Sequence, residues 1–175
     1  FKNNLLYYFK NKMCGIFFYQ SKKDDFEMGS DITKLEIYDA VQHLSNQKTG
    51  ALITIEKHNT LDQFSERAVL LHSKVSKEIL INIFTPLTPL HDGAVIIRGD
   101  EIVCAGAYYV LSDNEKVEST MGSRHRAGLG ISEVTDSLTI VVSEETGTIS
   151  IAIEGILVRL NEKEKLMEYL NTFMK

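Results

Sequence analysis

A chain of 175 residues has the length of one ordinary domain, with enough apolar sequence for one substantial core but not for two. Its formal net charge of -5, from 24 acidic and 19 basic side chains, excludes the basic surface that nonspecific nucleic-acid binding requires, so we expect no nucleic-acid partner. No apolar stretch approaches the ~20 residues of a membrane span, and Cys104 lies in an apolar run typical of a buried, reduced thiol, which indicates a cytoplasmic protein.

The first part of the chain differs from the rest in composition. Aromatic and aliphatic residues are mixed with lysines from Phe1 to Gln20, and residues 22–30 are polar. We predict a helical extension and linker over residues 1–30 and one folded domain over residues 31–175. The extension is expected to pack on the domain or on another subunit, and contact of an amphipathic segment with a membrane surface is the alternative. The chain begins with phenylalanine instead of methionine, which is typical of a sequence with a part upstream. Membrane attachment is expected only through such an upstream segment.

Two helices are predicted in the first half of the domain. Apolar residues at helical spacing follow Asp31, a plausible N-cap, as far as Asn46. Ser73 or Ser76 is expected to cap a second helix, whose apolar face lies within residues 79–84. The sequence leaves both serines open as the cap.

Two more helices are predicted in the second half. Ser123 is expected to cap one that includes residues 124–127 and ends at Gly128 or Gly130, because glycine disfavours a helix interior. The last helix is expected to begin near Asn161, where Glu164 three residues later resembles a capping box.

Short runs rich in β-branched residues predict seven strands. They cover residues 51–55, 68–71, 93–97, 101–111, 138–142, 148–153 and 156–160. Residues 56–67 are typical of a polar loop. Arg98, Gly99 and Asp100 indicate a tight hairpin turn, not an adhesion motif. Since hairpins outnumber βαβ units in this order, we predict an α/β fold with a mixed, roughly seven-stranded central sheet flanked by helices.

The first candidate site follows the prolines. Both prolines of the chain stand just ahead of His91 and Asp92, which constrains the backbone that leads into this pair. Gly93 and Ala94 then add almost no side-chain bulk, so a large ligand can approach the carboxylate. Taken alone, an ordinary turn aspartate that accepts bonds from backbone amides is the simpler interpretation.

The second candidate site is the run Gly122, Ser123, Arg124, His125 and Arg126. Gly122 permits close approach of a ligand, and Ser123 stands where the start of a helix exposes amides to an anion. Two permanently charged guanidinium groups add to that field. A solvated basic turn of helix is the simpler interpretation, and His125 is more simply a packed residue than a catalytic one.

Two further clusters have candidate roles. The turn at residues 143–147 carries glutamates, and one of them can share a divalent ion with Asp92, because hard oxygen ligands suit Mg²⁺ or Mn²⁺. A charged hairpin turn is the simpler interpretation. Tyr108 and Tyr109 alternate along a strand, so one is expected to face the core and the other a surface or pocket, where its ring can stack on a base. Together the candidate sites indicate nucleotide phosphate chemistry.

Four segments resemble, in order and spacing, the catalytic domain of bacterial diadenylate cyclases. They are LHDGA at residues 90–94, GSRHRA at 122–127, GISEVTD at 130–136 and VSEETG at 142–147. With the strand at residues 50–56 and residues 76–86, the resemblance covers residues 35–160. The chain departs from the family pattern at Ser123, where threonine is common, and at Tyr109, where an aliphatic residue is expected against adenine.

The resemblance implies that residues 31–175 form a diadenylate cyclase catalytic domain. Such a domain condenses two ATP molecules into cyclic di-AMP, releases two pyrophosphates and uses Mn²⁺ or Mg²⁺. The resemblance also implies that Asp92 activates the ribose 3'-hydroxyl and positions the metal, with His91 and Glu145 as further metal contacts. Arg124 and Arg126 are expected to act on the triphosphate.

The same resemblance implies a set of nucleotide contacts and a dimer. The contacts are Gly93, Ala94, Tyr108, Tyr109, Gly122, Ser123, Arg124, His125, Arg126, Ser143 and Glu145. Because one site with one ATP supplies only half of the product, two protomers of a homo-oligomer are expected to meet face to face. Two alternatives remain open: a nucleotide-binding regulatory module with weak or lost turnover, and a structural subunit assembled through its N-terminal helix.

Overall fold

The computed structural model describes residues 29–113 and 121–175. These ranges contain five helices and seven strands. In chain order they are α1 (Asp31–Asn46), β1 (Ala51–Ile55), α2 (Asp62–Ser65), β2 (Val69–Lys74), α3 (Lys77–Phe84), β3 (Ala94–Arg98), β4 (Glu101–Ala107), α4 (Ser123–Val134), β5 (Leu138–Val142), β6 (Ile149–Ile153), β7 (Ile156–Arg159) and α5 (Lys165–Phe173). The extension predicted for residues 1–30 lies outside the described residues, apart from its last two.

All seven strands form one mixed sheet in the order β2-β4-β3-β1-β5-β6-β7. β1 and β3 are parallel, and every other neighbouring pair is antiparallel. The pairs β3–β4, β5–β6 and β6–β7 are consecutive in the chain, as the turn signals predict. The predicted fold class, α/β with a mixed seven-stranded sheet flanked by helices, is confirmed.

Helices cover both faces of the sheet. In β1, Ile53 and Ile55 join one core with α1, α3 and α5, whereas Leu52 joins a second core with α4. Neighbouring residues of a strand point to opposite faces, so a strand covered on both sides becomes a continuous apolar run. β1 and β5 are buried over their whole length for this reason. Within the described ranges, no helix combines the length and the apolarity that crossing a bilayer requires.

One end of the sheet collects strand termini from both halves of the chain. The parallel strands β1 and β3 begin there. Their antiparallel neighbours β5 and β4 end there, because Ala51 pairs with Val142 and Ala94 pairs with Ala107. By the same antiparallel pairing, β6 begins and β7 ends at this end. We call it the site end, because the residues of all the candidate clusters lie next to these termini in the chain or in the fold.

Residues 56–67, predicted as a polar loop, are folded onto the sheet and contain α2. Glu56 is 2 % exposed and accepts from the Arg98 guanidinium at 2.6 and 3.0 Å and from the Leu61 amide at 2.9 Å. Arg98 also donates to Asp62 at 2.5 Å. The prediction missed α2 and the burial of Glu56, because Glu56 pairs with Arg98, 42 residues away in the chain, so that each oxygen of the buried carboxylate has a donor.

Among α1, α3 and α5, two helix starts differ from the sequence prediction, and the third matches one of its two candidates. Ser30 caps α1 through its side chain, and Asp31 is the first helical residue. Of the two candidates for α3, Ser76 is the cap. α5 begins at Lys165 without a side-chain hydrogen bond at its N-cap, Glu164, so the expected capping box is not formed. Helix existence was therefore easier to predict than the capping residue.

α4 is longer than predicted, since it continues past both glycines that were expected to end it. A Cβ placed on Gly128 would lie 2.8 Å from a methyl group of Val141. A Cβ on Gly130 would lie 2.1 Å from the carbonyl oxygen of Val110. These glycines let the sheet and the segment after β4 approach α4 closely, and this packing outweighs their low helix propensity. Ser123 begins the helix but supplies no capping hydrogen bond.

Candidate functional site

A pocket of about 270 Å³ opens at the site end, between the start of α4 and the termini of β5, β6 and β7. Its walls are the first turn of α4, the turn that joins β5 to β6, the beginning of β6 and the end of β7. Of the residues predicted for the site, the pocket gathers Gly122, Ser123, Arg124, His125, Ser143 and Glu145. We call it the α4 pocket.

The start of α4 supplies backbone donors to this pocket. Gly122 is the N-cap residue and has an extended backbone, and its carbonyl oxygen accepts from the amides of His125 and Arg126. In any α-helix the amides before these have no partner within the helix. Together with the positive end of the helix dipole, such amides suit an anionic ligand.

Arg124 is held in the pocket wall by an ion pair and by close packing against Gly50. Its Nη1 donates to Oε2 of Glu144 at 2.6 Å. A Cβ placed on Gly50 would lie 2.6 Å from the same nitrogen, so the guanidinium occupies space that a glycine leaves open. Because the Glu144 side chain is 64 % exposed, this ion pair contributes little stability. An anionic ligand can therefore take the place of the carboxylate.

His125 is half-buried in the same wall. Burial lowers the pKa of its imidazole, the positive charge of Arg159 lowers it further, and the negative charge of Glu145 raises it. The imidazole is therefore mainly neutral at pH 7. This state fits a packed residue more than a charged ligand.

Arg126 points away from the α4 pocket. Two steps along a helix rotate a side chain by about 200°, so Arg124 and Arg126 leave α4 on different sides. The Arg126 guanidinium donates to the Ser112 carbonyl oxygen at 3.2 and 3.1 Å and lies 3.6 Å from Asp113. It fastens the segment after β4 to α4. The two arginines therefore do not converge on one anion here, and a phosphate role for Arg126 stays a prediction.

Asp92 lies outside the α4 pocket, just before β3, with its side chain exposed. Gly93 follows with φ +99°, and a Cβ there would lie 2.8 Å from the Ala107 carbonyl oxygen, so only glycine lets β4 pass this close. Nδ1 of His91 lies 2.6 Å from the Thr88 carbonyl oxygen. Because a carbonyl oxygen only accepts, Nδ1 carries the proton, and Nε2 keeps a lone pair for a ligand.

Tyr108 and Tyr109 follow the end of β4 and face different surroundings. Tyr109 is 9 % exposed and packs edge-on against Phe64, with ring centroids 5.3 Å apart. Burial raises the pKa of its phenol. Tyr108 is 70 % exposed, so its ring is accessible to a base. The prediction that one tyrosine faces the core and the other a surface is confirmed. We call residues 92–94 and Tyr108 the Asp92 corner.

The predicted metal contacts are spread along the site end. Asp92 precedes β3 and Glu145 follows β5, with β1 between these strands, and two strand spacings amount to about 10 Å. In the ranges 29–113 and 121–175, no three His, Cys, Asp or Glu residues lie together as a metal-binding group. His91, Asp92 and Glu145 therefore do not form one three-ligand site in a single chain. An exposed carboxylate still fits Mg²⁺, which is often held by one or two carboxylates and substrate phosphates.

The α4 pocket contains a cation that the sequence analysis did not identify. Arg159, the last residue of β7, lines the pocket together with Leu157 and donates to Oγ1 of Thr148 at 2.8 Å. The alternation of a strand places Leu157 and Arg159 on one face, which is a signal in the sequence. The strand order β5-β6-β7 brings this face of β7 near α4. Local sequence patterns do not show that order.

The fold and the site define an α/β domain with a mixed sheet that carries, at one end, a helix start that suits an anion and an exposed carboxylate. Residues 38–157 match the family described as DAC, DisA bacterial checkpoint controller nucleotide-binding. The match covers more than half of the chain. The chain belongs to this family.

Relatives of known name agree with the family match. The chain is similar to the cyclic di-AMP synthase CdaA of Bacillus subtilis, with 48 % identity over 136 residues, 78 % of this chain and 50 % of that protein. It is 50 % identical over 131 residues to a diadenylate cyclase of Listeria monocytogenes, covering 75 % of this chain and 48 % of that protein. The chain thus spans about half the length of these curated relatives.

A solved structure agrees with the fold. The crystal structure of a DacA double mutant from Staphylococcus aureus matches with a TM-score of 0.80 and 42 % identity. The match covers 81 % of this chain and 95 % of that chain. The mixed sheet with its flanking helices is therefore shared with this protein.

Proposed function

We propose that the chain is a diadenylate cyclase, which joins two ATP molecules into cyclic di-AMP and releases two pyrophosphates. Membership of the DAC family and relatives named diadenylate cyclase or cyclic di-AMP synthase support this activity. The observation that carries the proposal is the arrangement at the site end. A pocket suited to an anion at the start of α4 and an exposed carboxylate just before β3 lie at the same end of the sheet, where β1 separates β3 from β5.

One ATP molecule lies along the site end. Its triphosphate enters the α4 pocket, where the first amides of α4, the Ser123 hydroxyl and Arg124 meet phosphate oxygens. At about 270 Å³ the pocket is smaller than most sites that enclose a whole ligand, about 300–1,000 Å³, so the adenosine lies outside it, past β1. There Gly93, Ala94 and Tyr108 border the nucleoside. The remaining proposed contacts are Gly122, His125, Ser143 and Glu145, whereas Tyr109, packed on Phe64, and Arg126, bound to the Ser112 carbonyl, would have to move to reach the nucleotide.

Asp92 acts on the ribose 3'-hydroxyl of this nucleotide. The 3' oxygen forms a bond to the α-phosphorus of the other ATP, and the bond from that phosphorus to the bridging oxygen of the β-phosphate breaks. The hydroxyl proton passes to the Asp92 carboxylate, and pyrophosphate leaves with the bonding electron pair. Arg124 holds the triphosphate in line and offsets the charge on the leaving group. A second round with the roles exchanged closes the ring.

A bound Mg²⁺ or Mn²⁺ supplies charge neutralisation at the phosphates and favours loss of the hydroxyl proton. Asp92 and Glu145, at separate places along the site end, would each offer an exposed carboxylate to such an ion, and His91 would offer Nε2 beside Asp92. Phosphate oxygens and water complete the set of ligands. The exposure of these side chains supports an ion that enters together with the nucleotide.

The reaction needs two protomers. In the described residues of one chain, the α4 pocket holds one ATP, which supplies one of the two AMP units of the product. A homodimer in which two site ends face each other presents each nucleotide to the other, and a two-fold axis gives both protomers the same role. The exposed Asp92 and Tyr108 support such an approach, because they leave this surface accessible.

The proposal is tested by incubating the chain with ATP and Mn²⁺ and measuring the products by mass spectrometry. We expect cyclic di-AMP and two pyrophosphates for each ring formed. ATP binding without any dinucleotide would support the regulatory module instead. If the chain bound no ATP at all, the nucleotide function would be wrong and a structural subunit would be favoured.

A further inference from the structure

Arg159 is a cation of the α4 pocket that no acidic side chain neutralises within the described part of the chain. The other arginine of the pocket, Arg124, is paired with Glu144 at 2.6 Å. Arg159 instead donates to the neutral hydroxyl of Thr148 at 2.8 Å. It stands on β7, so the two guanidinium groups belong to different walls of the pocket. A cation left unpaired in a pocket is available to an anionic ligand.

The position of Arg159 is fixed by a small hydrogen-bond network. Thr148 Oγ1, which accepts from Arg159, also accepts from Thr146 Oγ1 at 2.8 Å. The Thr146 side chain in turn accepts from the Thr148 amide at 3.2 Å. The network ties the end of β7 to the turn between β5 and β6, both of which line the pocket. A guanidinium positioned in advance loses less entropy when it binds a ligand.

The charge of Arg159 acts across the pocket. His125, in the first turn of α4, has a pKa lowered first by burial and then by Arg159. The first turn of α4 and Arg159 line the same pocket, so a phosphate chain bound at the helix start lies in the pocket that Arg159 also lines.

We propose that Arg159 is the second guanidinium ligand of the triphosphate and binds it from the β7 wall while Arg124 binds it from the α4 wall. This inference rests on the proposed function. The sequence pattern gave the role of second triphosphate-binding arginine to Arg126, but the Arg126 guanidinium donates to the Ser112 carbonyl. We assign that role to Arg159 instead. Two guanidinium groups on opposite walls clamp a phosphate chain and offset the charge of the departing pyrophosphate.

The test measures binding of inorganic tripolyphosphate, ATP and adenosine to the parent chain and to Arg159→Gln and Arg159→Lys. For Arg159→Gln we expect tripolyphosphate and ATP to bind about 10- to 100-fold more weakly, as for loss of a charged hydrogen bond, with adenosine unchanged. Arg159→Lys keeps the charge without the planar fork, so it should recover part of the loss. Because Arg159 is exposed, the melting temperature should not change.

Two further variants sharpen the test. Thr148→Val removes the acceptor that orients Arg159, and we expect phosphate binding to weaken about 2- to 5-fold, as for one neutral hydrogen bond. Lys165→Ala is the matched control, because it removes one exposed positive charge that does not line the pocket. It should bind all three probes like the parent.

The outcomes separate this inference from the proposed function. If the parent chain makes cyclic di-AMP, and Arg159→Gln binds tripolyphosphate and ATP as tightly as the parent, the inference about Arg159 is wrong and the proposed function is still supported. If the parent chain makes no cyclic product, and Arg159→Gln binds tripolyphosphate more weakly than the parent, the proposed function is wrong but Arg159 is supported as a phosphate ligand.

Discussion

The α4 pocket and the Asp92 corner lie at the same end of one sheet but are built differently. The pocket is concave, with four pieces of chain around it, helix amides and two arginines. The Asp92 corner is open, with an exposed carboxylate and an exposed tyrosine beside closely packed backbone. We therefore propose that one chain binds the triphosphate by itself, whereas the carboxylate acts only with a nucleotide brought by a second protomer. The difference supports a division into a binding half and a reacting half.

Asp92→Asn gives the largest expected effect and removes the reacting half alone. Loss of the carboxylate should lower the rate of cyclic di-AMP formation by about 10²–10⁴-fold, the range for a lost acid–base group. ATP binding and the melting temperature should stay near the parent values, since the side chain is exposed and outside the pocket. Asp39→Asn, at an exposed position on α1, is the matched control. Turnover of Asp92→Asn within tenfold of the parent would remove Asp92 from the chemistry.

Arg124→Ala and Arg126→Ala compare an arginine that we propose binds the triphosphate with one that stabilises the fold. Arg124→Ala should raise the KM for ATP about 10- to 100-fold with unchanged stability, because its only described ion pair is with an exposed carboxylate. Arg126→Ala should lower the melting temperature by several degrees, because the partly buried Arg126 loses two hydrogen bonds to the Ser112 carbonyl. Its KM should rise less than that of Arg124→Ala. Equal KM increases with unchanged melting temperatures would show instead that Arg126 contacts phosphate.

Gly50→Ala is a smaller change in the same pocket. The added methyl group would lie 2.6 Å from Nη1 of Arg124, so the guanidinium must move. We expect ATP binding to weaken about fivefold, as for the loss of roughly one hydrogen bond. In an Arg124→Ala background the same substitution should have no further effect on binding, because the group it displaces is gone. Additive losses in the double variant would contradict a role for Gly50 in placing Arg124.

The smallest expected effect is the pH dependence of stability that His125 causes. Burial lowers the pKa of His125 in the folded chain below its unfolded value near 6.5. Between these two pKa values the unfolded chain binds more protons, so stability is lost as the pH falls from above the unfolded value towards the folded one. Melting temperatures of His125→Gln should fall less than those of the parent between pH 8 and pH 5.5. Parallel curves would show that this histidine does not titrate differently on folding.

The fold was largely readable from the sequence, because its signals are local. Short β-branched runs gave seven strands, and Ser76 capped its helix as one of two candidates. The errors arose where distant contacts decide. Glu56 is buried because of Arg98, and α4 tolerates Gly128 because β5 packs against it. No window of local sequence contains both members of such a pair.

The candidate site was readable only in part for the same reason. The family resemblance implies nucleotide contacts both at Arg124 and in the turn at residues 143–147, and the structure places both in one pocket. Arg124 and Arg126 were treated as a pair because they are neighbours in the chain, although helical geometry sends them to different sides. Arg159 was missed because only the strand order brings β7 to the pocket. Roles for the remaining predicted contacts stay predictions.

The division into a binding half and a reacting half is tested most directly by the dependence of turnover on protein concentration. Cyclic di-AMP formed per protomer is measured at saturating ATP and Mn²⁺ over a dilution series, and sedimentation gives the mass at each concentration. We predict that turnover per protomer rises with concentration and levels off where the chain becomes dimeric. Constant turnover per protomer down to concentrations at which the chain is monomeric would contradict the account.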